Sequence, residues 1–354
     1  MNDTTLLAGK PYRGIIKFMF PLLIANVLQQ LYNTVDTLVV GNLDSQFSLS
    51  AVGTCGYLVG LYLAIASGFS LGVGVLVSKY YGAEDYESMK RYAGNGMIFL
   101  TALGIGTSII ALLTNGLWLR YVINVPDNLY EAALKYIQFY SLGLLFQFIY
   151  NIIAALLRAV GDSLSSLYFL LISSVLNIIL DLLFVGVFHL SVVGVALATM
   201  ISQFICMLIY IIYMGKKYTV FRYHKNEWKL NGCFIKDIFY TGLPMSLQLI
   251  ITSCGFMVIQ RIVNSFGDVL IASYTVVCRL ECYMLVPLTT LSQAMITFTG
   301  QNIGAKKYDR IQQGLHQTIG ISLGIAFLIS VVCYIYPITH NIIWNIGRCV
   351  CICC

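Results

Sequence analysis

The sequence predicts an all-α, polytopic membrane protein built as two parallel helical lobes, a six-helix N-lobe and an incomplete C-lobe of about three helices. Three observations predict it. Apolar residues make up 58% of the chain and charged residues only 10%, whereas a soluble domain carries roughly a quarter charged residues. Apolar runs repeatedly reach the about 20 residues that a helix needs to cross a bilayer. One local pattern also occurs twice, 222 residues apart, each time closing the second span of a half. A β-barrel would show short segments of strict alternation, and none is present.

The expected spans are 14–41, 51–80, 92–116, 130–157, 164–188, 192–214, 235–266, 269–303 and 314–337. The first is too long for a signal-peptide core and lacks a small-residue cleavage site after it, so it is read as a retained span. Several runs exceed 25 residues, which implies tilt or extension beyond the lipid. Most cysteines, such as Cys55, Cys206, Cys254 and Cys278, lie inside apolar runs and read as small hydrophobes.

The longest polar connection, 215–234, separates an N-lobe (1–214, six spans) from a partial C-lobe (235–354, about three spans). The repeated pattern reads Tyr80-Tyr81-Gly82-Ala83-Glu84-Asp85-Tyr86-Glu87 and Asn302-Ile303-Gly304-Ala305-Lys306-Lys307-Tyr308-Asp309. Each half also opens on a helix with an early proline, Pro21 or Pro244. Six spans separate the copies, so both halves share one orientation. Such repeats characterise transporters. Two repeats of this length need about 440 residues, so the chain is expected to stop at the point matching the loop after the third span of the first half. The tail, with Cys349, Cys351, Cys353 and Cys354, differs in composition from everything before it. Lipidation or a metal site would suit it, but no second ligand cluster accompanies it, and a broken or artificially ended reading frame is the expectation.

Orientation follows from the basic residues. Lys10, Arg13, Lys17, Lys79, Lys90, Arg91, Arg158, Lys216, Lys217, Arg222, Lys225, Lys229, Lys236, Lys306, Lys307 and Arg310 all fall on the side of the N-terminus. The opposite side holds little beyond Arg120, Lys135, Arg261 and Arg348. The expected placement is a multi-pass protein of the cell membrane with a cytoplasmic N-terminus and a cytoplasmic linker.

Of the fifteen acids, only Asp36, Asp181 and Glu281 sit well within spans. A charge at the centre of a helix in lipid costs about 2.5–3.5 kcal/mol on insertion scales, so such groups face protein or a wet cavity. Asn26, Gln29, Gln30, Asn33 and Asp36 recur at helical spacing on the first span, and Ser173, Asn177 and Asp181 on the fifth. At 1.5 Å per residue, Asp181 lies about 25 Å along the fifth span and Thr199 about 10 Å into the sixth from the other side. Both reach the outer half of the same lobe, where Asp36 also falls. Two carboxylates, an amide oxygen and a hydroxyl at one level suit a hard cation or a shared proton. Taken singly, Asn26, Asn33 and Ser173 read as helix–helix glue.

Glu281 lies two residues from Arg279, a spacing at which helical side chains do not face each other. Asn26, Gln29, Gln30 and Asn33 on the first span, Gln147 and Asn151 on the fourth, Gln248, Thr252 and Gln260 on the seventh and Glu281 on the eighth are the candidates to line a substrate cavity. Gly161-Asp162 after Arg158 reads as a turn with a local charge pair. His189, His224, His316 and His340 are scattered without metal-ligand spacing. Tyr32, Phe139, Tyr140, Phe146, Phe148 and Tyr150 could face an organic cation, although membrane belts and core packing account for most aromatics in such chains. No P-loop, Gly-x-Ser-x-Gly, His-Glu-x-x-His or paired Cys-x-x-Cys motif occurs, so an enzymatic activity is not expected.

Taken together, Pro21 with its Asn/Gln stripe and Asp36-Thr37-Leu38-Val39-Val40-Gly41, the paired Gly-Ala-x-x-Tyr loops, the turn Leu157-Arg158-Ala159-Val160-Gly161-Asp162 and the Asn177-to-Asp181 spacing resemble the multidrug and toxic compound extrusion (MATE) family. The resemblance covers nearly all of residues 10–337. It implies two six-helix lobes in a V around a central cavity. It also implies export of cationic or amphipathic small molecules in exchange for Na⁺ or H⁺. Positions resembling Asp36, Asn177, Asp181 and Thr199 carry the coupling ion in members with an N-lobe site. Members with a C-lobe site place an acid on the seventh helix, where this chain has Gln260 and Arg261. The family's last three helices have no counterpart in the chain.

Export of organic cations or amphipaths is therefore the leading expectation, with Na⁺ or H⁺ as coupling ion and no other cofactor. The expected partners are the cargo and membrane lipids, with no nucleic acid, and the expected state is a monomer. One alternative is a flippase for lipid-linked glycans, whose members resemble this architecture but tend to have basic cavities. The mainly acidic intramembrane charge favours cationic cargo. A second alternative is a non-transporting remnant.

Overall fold

The computed structural model describes the backbone of residues 6–43, 46–218, 221, 230–264 and 268–339; within it the side chains at 32, 33, 35–43, 46–50, 128, 260, 264, 268–273, 275, 276, 279 and 335–339 lie outside the described residues. The side chains of Tyr32, Asn33, Asp36, Gln260 and Arg279 are among these, and so are Arg222, His224, Lys225, Lys229, His340, Arg348 and the tail cysteines.

Nine α-helices run through the described residues, with no strand among them. They are α1 (Pro11–Leu43), α2 (Gln46–Gly82), α3 (Tyr86–Leu117), α4 (Asp127–Ala159), α5 (Ser163–Asp181), α6 (Ser191–Lys217), α7 (Gly232–Asn264), α8 (Asp268–Gly304) and α9 (Tyr308–Thr339). Each coincides with one expected span, although α5 is continued past Asp181 by a separate turn. Eight carry an apolar stretch long enough to cross a bilayer, and α8, at 37 residues, is among the longest. The chain is a multi-pass membrane protein.

Local chemistry sets the helix ends. Asp85 caps α3 by accepting from the Ser88 backbone N–H at 3.0 Å, and Asp162 caps α5 by accepting from that of Ser165 at 3.1 Å. The two copies of the repeat end α2 and α8 in the same way. Glu84 and Lys306, 222 positions apart, both adopt left-handed backbone, with φ of 59° and 57°. Beyond them the N–H of Asp85 returns to the Tyr80 carbonyl and that of Lys307 to the Asn302 carbonyl, so the last carbonyls of each helix are satisfied. Two helices end in a π turn, Trp118–Ile123 after α3 and Leu182–Val187 after α5.

Within the first lobe α4 is central, packed against α2, α3 and α6. Its buried residues join two apolar cores. One, around Val73, Met89, Leu100, Phe148, Ile152 and Tyr210, lies nearer the N-terminal face; the other surrounds Leu58, Ala111, Leu119, Ile137 and Leu144. Large apolar side chains such as Leu113, Ile251 and Phe327 stay exposed, as lipid-facing positions require.

α1 belongs to both halves. Its first turns place Ile15, Phe18, Met19 and Leu22 in one core with Leu291, Ala294 and Phe298 of α8, while α1 also packs against α5. Asn26 Nδ2 donates to Thr290 Oγ1 of α8 at 2.8 Å, and the Thr34 hydroxyl meets the Tyr283 hydroxyl at 3.1 Å. α2 crosses α7 at backbone distance: a Cβ on Gly68 would stand 2.2 Å from Ser246 Cα, and one on Gly72 2.5 Å from Gly242 Cα. Small residues let membrane helices approach this closely.

Candidate ion-coupling site

α5 has one polar stripe and one lipid-facing stripe. Ser173, Asn177 and Asp181 follow each other at four-residue spacing and are buried, Asn177 and Asp181 each to 1% exposure. Ile172, Val175 and Ile179 on the other side are exposed. The helical period thus turns every acid and amide of this segment inward, between α1 and α6. Asn177 Nδ2 reaches Thr199 Oγ1 of α6 at 3.5 Å. Asp181 is the last residue of α5, and the π turn Leu182–Val187 begins directly after it. π turns widen a helix and recur at functional sites. Sequence reasoning missed this turn, because Leu-Leu-Phe-Val-Gly-Val carries no signal that separates it from ordinary helix. The backbone of α1 at position 36 is helical and α1 packs along α5; the Asp36 side chain lies outside the described residues.

The other candidate residues are distributed as follows. Asn26 is joined to Thr290 as above. Gln29, Gln248, Thr252 and Glu281 are exposed, while Gln30, Gln147 and Asn151 are half-buried. Asn151 donates back to the Gln147 carbonyl at 2.9 Å and Thr252 to the Gln248 carbonyl at 2.9 Å. A water-sized space of about 10 Å³ lies between the halves, lined by Gly74, Ala155, Arg158, Gln293 and Thr297. Beside it Gln301 Nε2 of α8 donates to the Ala159 carbonyl at the end of α4, 2.8 Å away.

Two polar clusters escaped the sequence reading. In the first, Tyr62 OH donates to Asn115 Oδ1 at 2.7 Å, and Asn115 Nδ2 donates to Ser141 Oγ at 2.9 Å. These three side chains join α2, α3 and α4, and all are buried. The only sequence signal was an isolated polar residue in each of three apolar spans. The second cluster surrounds Asp162. The expected turn is there, with Gly161 at φ 90°, but its carboxylate pairs with a residue far along the chain. Asp162 Oδ2 accepts from Lys217 Nζ at 2.8 Å, Tyr218 OH at 2.8 Å and Ser165 Oγ at 2.6 Å. Burial works to raise the Asp162 carboxyl, yet these donors outweigh it and hold the group below the usual carboxylate range.

Helices that span a membrane in two copies of one motif, with a buried carboxylate facing the interior of the first copy, define a class: a polytopic helical transporter with an internal repeat. The chain belongs to the MatE family, whose family model matches residues 21–183 and 244–344, one match in each half. The probable multidrug resistance protein YpnP of Bacillus subtilis is 30% identical over 305 residues, which cover 86% of this chain and 67% of the relative. The multidrug export protein MepA of Staphylococcus aureus is 24% identical over 332 residues, 94% of this chain and 73% of the relative. Among solved structures, a MOP superfamily transporter from Pyrococcus furiosus superposes with a TM-score of 0.87 at 24% identity, covering 95% of this chain and 74% of that one. An outward-facing multidrug resistance MATE family transporter superposes with a TM-score of 0.86 at 25% identity, again covering 95% and 74%.

Proposed function

We propose that the protein exports cationic or amphipathic small molecules in exchange for Na⁺ or H⁺, with Asp36, Asn177, Asp181 and Thr199 as the coupling centre. The observation that carries this reading is the burial of Asp181 to 1% exposure inside a membrane-spanning lobe, on the same helical stripe as Asn177. An acid there has a large desolvation cost unless a cation or a proton neutralises it. The names of YpnP and MepA, a multidrug resistance and a multidrug export protein, support the cargo class. The N-terminus is cytoplasmic in this reading, from the placement of the basic residues. Binding of the coupling ion drives the cycle through a difference in its affinity for the two states.

Everted vesicles carrying the protein, offered a fluorescent organic cation from outside under separate Na⁺ and pH gradients, test the proposal. Asp36→Asn and Asp181→Asn should each abolish gradient-driven movement of the dye. Undiminished movement in both variants would remove the coupling centre.

A further inference from the structure

The repeat extends into the way each half grips the other. Two acceptors 222 residues apart do matching things. The backbone N–H of Tyr12, at the start of α1, donates to Gln317 Oε1 of α9 at 3.0 Å. The backbone N–H of Asn231, at the start of α7, donates to Asn95 Oδ1 of α3 at 2.9 Å. Asn95 and Gln317 are equivalent positions in the two copies. The entry to the first helix of each half is therefore held by the third helix of the other.

Each grip is reinforced differently. Before α1, the chain from Leu6 to Gly9 runs as a strap, with Gly9 in left-handed backbone at φ 68°. Arg310 Nη1 donates to the Gly9 carbonyl at 2.6 Å, and Nη2 lies 3.3 Å from the carbonyls of both Leu6 and Ala8. Lys307 Nζ donates to the Leu7 carbonyl at 3.1 Å, and Asn302 Nδ2 to that of Leu6 at 3.3 Å. Asn302 and Lys307 belong to the second copy of the repeat, and Arg310 directly follows it. On the other side, Tyr92 OH of α3 donates to Asp237 Oδ2 of α7 at 2.6 Å, and the Phe234 ring stands edge-on to Tyr92 at 4.6 Å.

We infer that these two crossed grips are a latch that keeps the protein closed on its N-terminal face, and that Arg310 and Tyr92 are its two bolts. α1 starts on the second half and packs further along on the first, so the halves cannot part on this face while both grips hold. Four strap carbonyls outside any helix would otherwise need water or new donors. The inference is independent of which ion or cargo the protein carries.

Ser78, fully buried where α2 meets α8, reports opening. In a background with the native cysteines replaced, Ser78→Cys is labelled by a membrane-impermeant maleimide offered to the N-terminal face. Ser246→Cys serves as a second reporter, in case Ser78→Cys itself spreads the contact. Tyr92→Phe should speed labelling at least about tenfold, the effect of losing one hydrogen bond to a charged group, and Arg310→Ala, which removes donors from three strap carbonyls, should speed it more. Arg310→Lys keeps the charge without the fork and should fall between wild type and Arg310→Ala. Labelling at the wild-type rate in both Arg310→Ala and Tyr92→Phe would overturn the latch. Acceleration in Arg310→Ala alone would overturn its reciprocity. Should Arg310→Ala fail to accumulate in the membrane, Tyr92→Phe, which deletes a single hydroxyl, decides the matter.

Discussion

Gly82 and Gly304 stand in mirrored contacts across the junction of α2 and α8: a Cβ on Gly82 would lie 1.9 Å from the carbonyl oxygen of Gln301, and one on Gly304 1.8 Å from that of Lys79. Lys79 and Gln301 are themselves 222 residues apart, as are Ser78 and Gly300, which touch each other. The pseudo-twofold axis relating the halves therefore passes between Ser78 and Gly300. The repeated glycine thus brings the backbones of α2 and α8 into contact, as Gly68 and Gly72 do for α2 and α7.

Gly82→Ala and Gly304→Ala should each destabilise the protein by about 1–3 kcal/mol, the cost of overpacking where neighbouring backbone cannot yield. Thermal unfolding in detergent measures it. Gly106→Ala on α3 is the control, because a Cβ there meets nothing within 4 Å. Replacing a helical glycine in open space should add about 0.5–1 kcal/mol. Equal melting of all three variants would sink the interpretation of the crossing.

Asn115→Leu breaks a buried chain of hydrogen bonds between three helices. It leaves the Tyr62 hydroxyl without its acceptor and removes a donor from Ser141. The expected loss is about 1–3 kcal/mol, read from the unfolding midpoint. Combining it with Tyr62→Phe should cost less than the two single changes summed, because both act on one bond. Strict additivity would argue that the bond contributes nothing.

The Asp162 carboxyl is held below the usual range in the folded protein. A depressed folded value stabilises the fold above the unfolded value of about 3.9, and this stability is lost as pH falls through the folded value. Melting temperature should therefore be flat from pH 8 to 5 in this respect and fall under more acidic conditions. Asp162→Asn should lower stability at neutral pH by about 1.5–3 kcal/mol, the worth of hydrogen bonds to a charged group, and flatten the acid limb. A variant that melts like wild type at pH 7 would show the cluster to be inert.

Thr199→Val keeps volume but removes the hydroxyl that Asn177 Nδ2 approaches at 3.5 Å. If the coupling centre is as proposed, the Na⁺ or proton concentration for half-maximal export should rise about tenfold, equivalent to one hydrogen bond of about 1.4 kcal/mol. The amount of protein in the membrane should not change. An unaltered ion dependence would take Thr199 out of the site.

Much of the fold was legible because it is local. Lipid offers no partner for an unpaired backbone group, so an apolar run of spanning length becomes a helix wherever it occurs, and the nine runs did so. Gly82-Ala83 and Gly304-Ala305 announced two matching helix ends, and left-handed Glu84 and Lys306 follow them. The stripe Ser173-Asn177-Asp181 was legible too, since a period near four places those residues on one face whatever surrounds them. The charge pair of Asp162 was not. The chain places Arg158 four residues away, and the structure uses Lys217 instead. The role of Asn26 was open between glue and cavity lining, and its partner Thr290 lies 264 residues on.

The sequence by itself determined which segments cross the membrane, that they come in two copies, and which polar residues share a helix face. These follow from the hydrophobic period and from the cost of bare backbone in lipid, both set by neighbours in the chain. Only the tertiary structure decided that α1 is divided between the halves, that Asn95 and Gln317 each hold the other half's entry strand of backbone, and that glycines mark the axis between them. Such pairings join residues hundreds of positions apart, and shape, hydrogen-bond geometry and close backbone approach select them only once the helices have met.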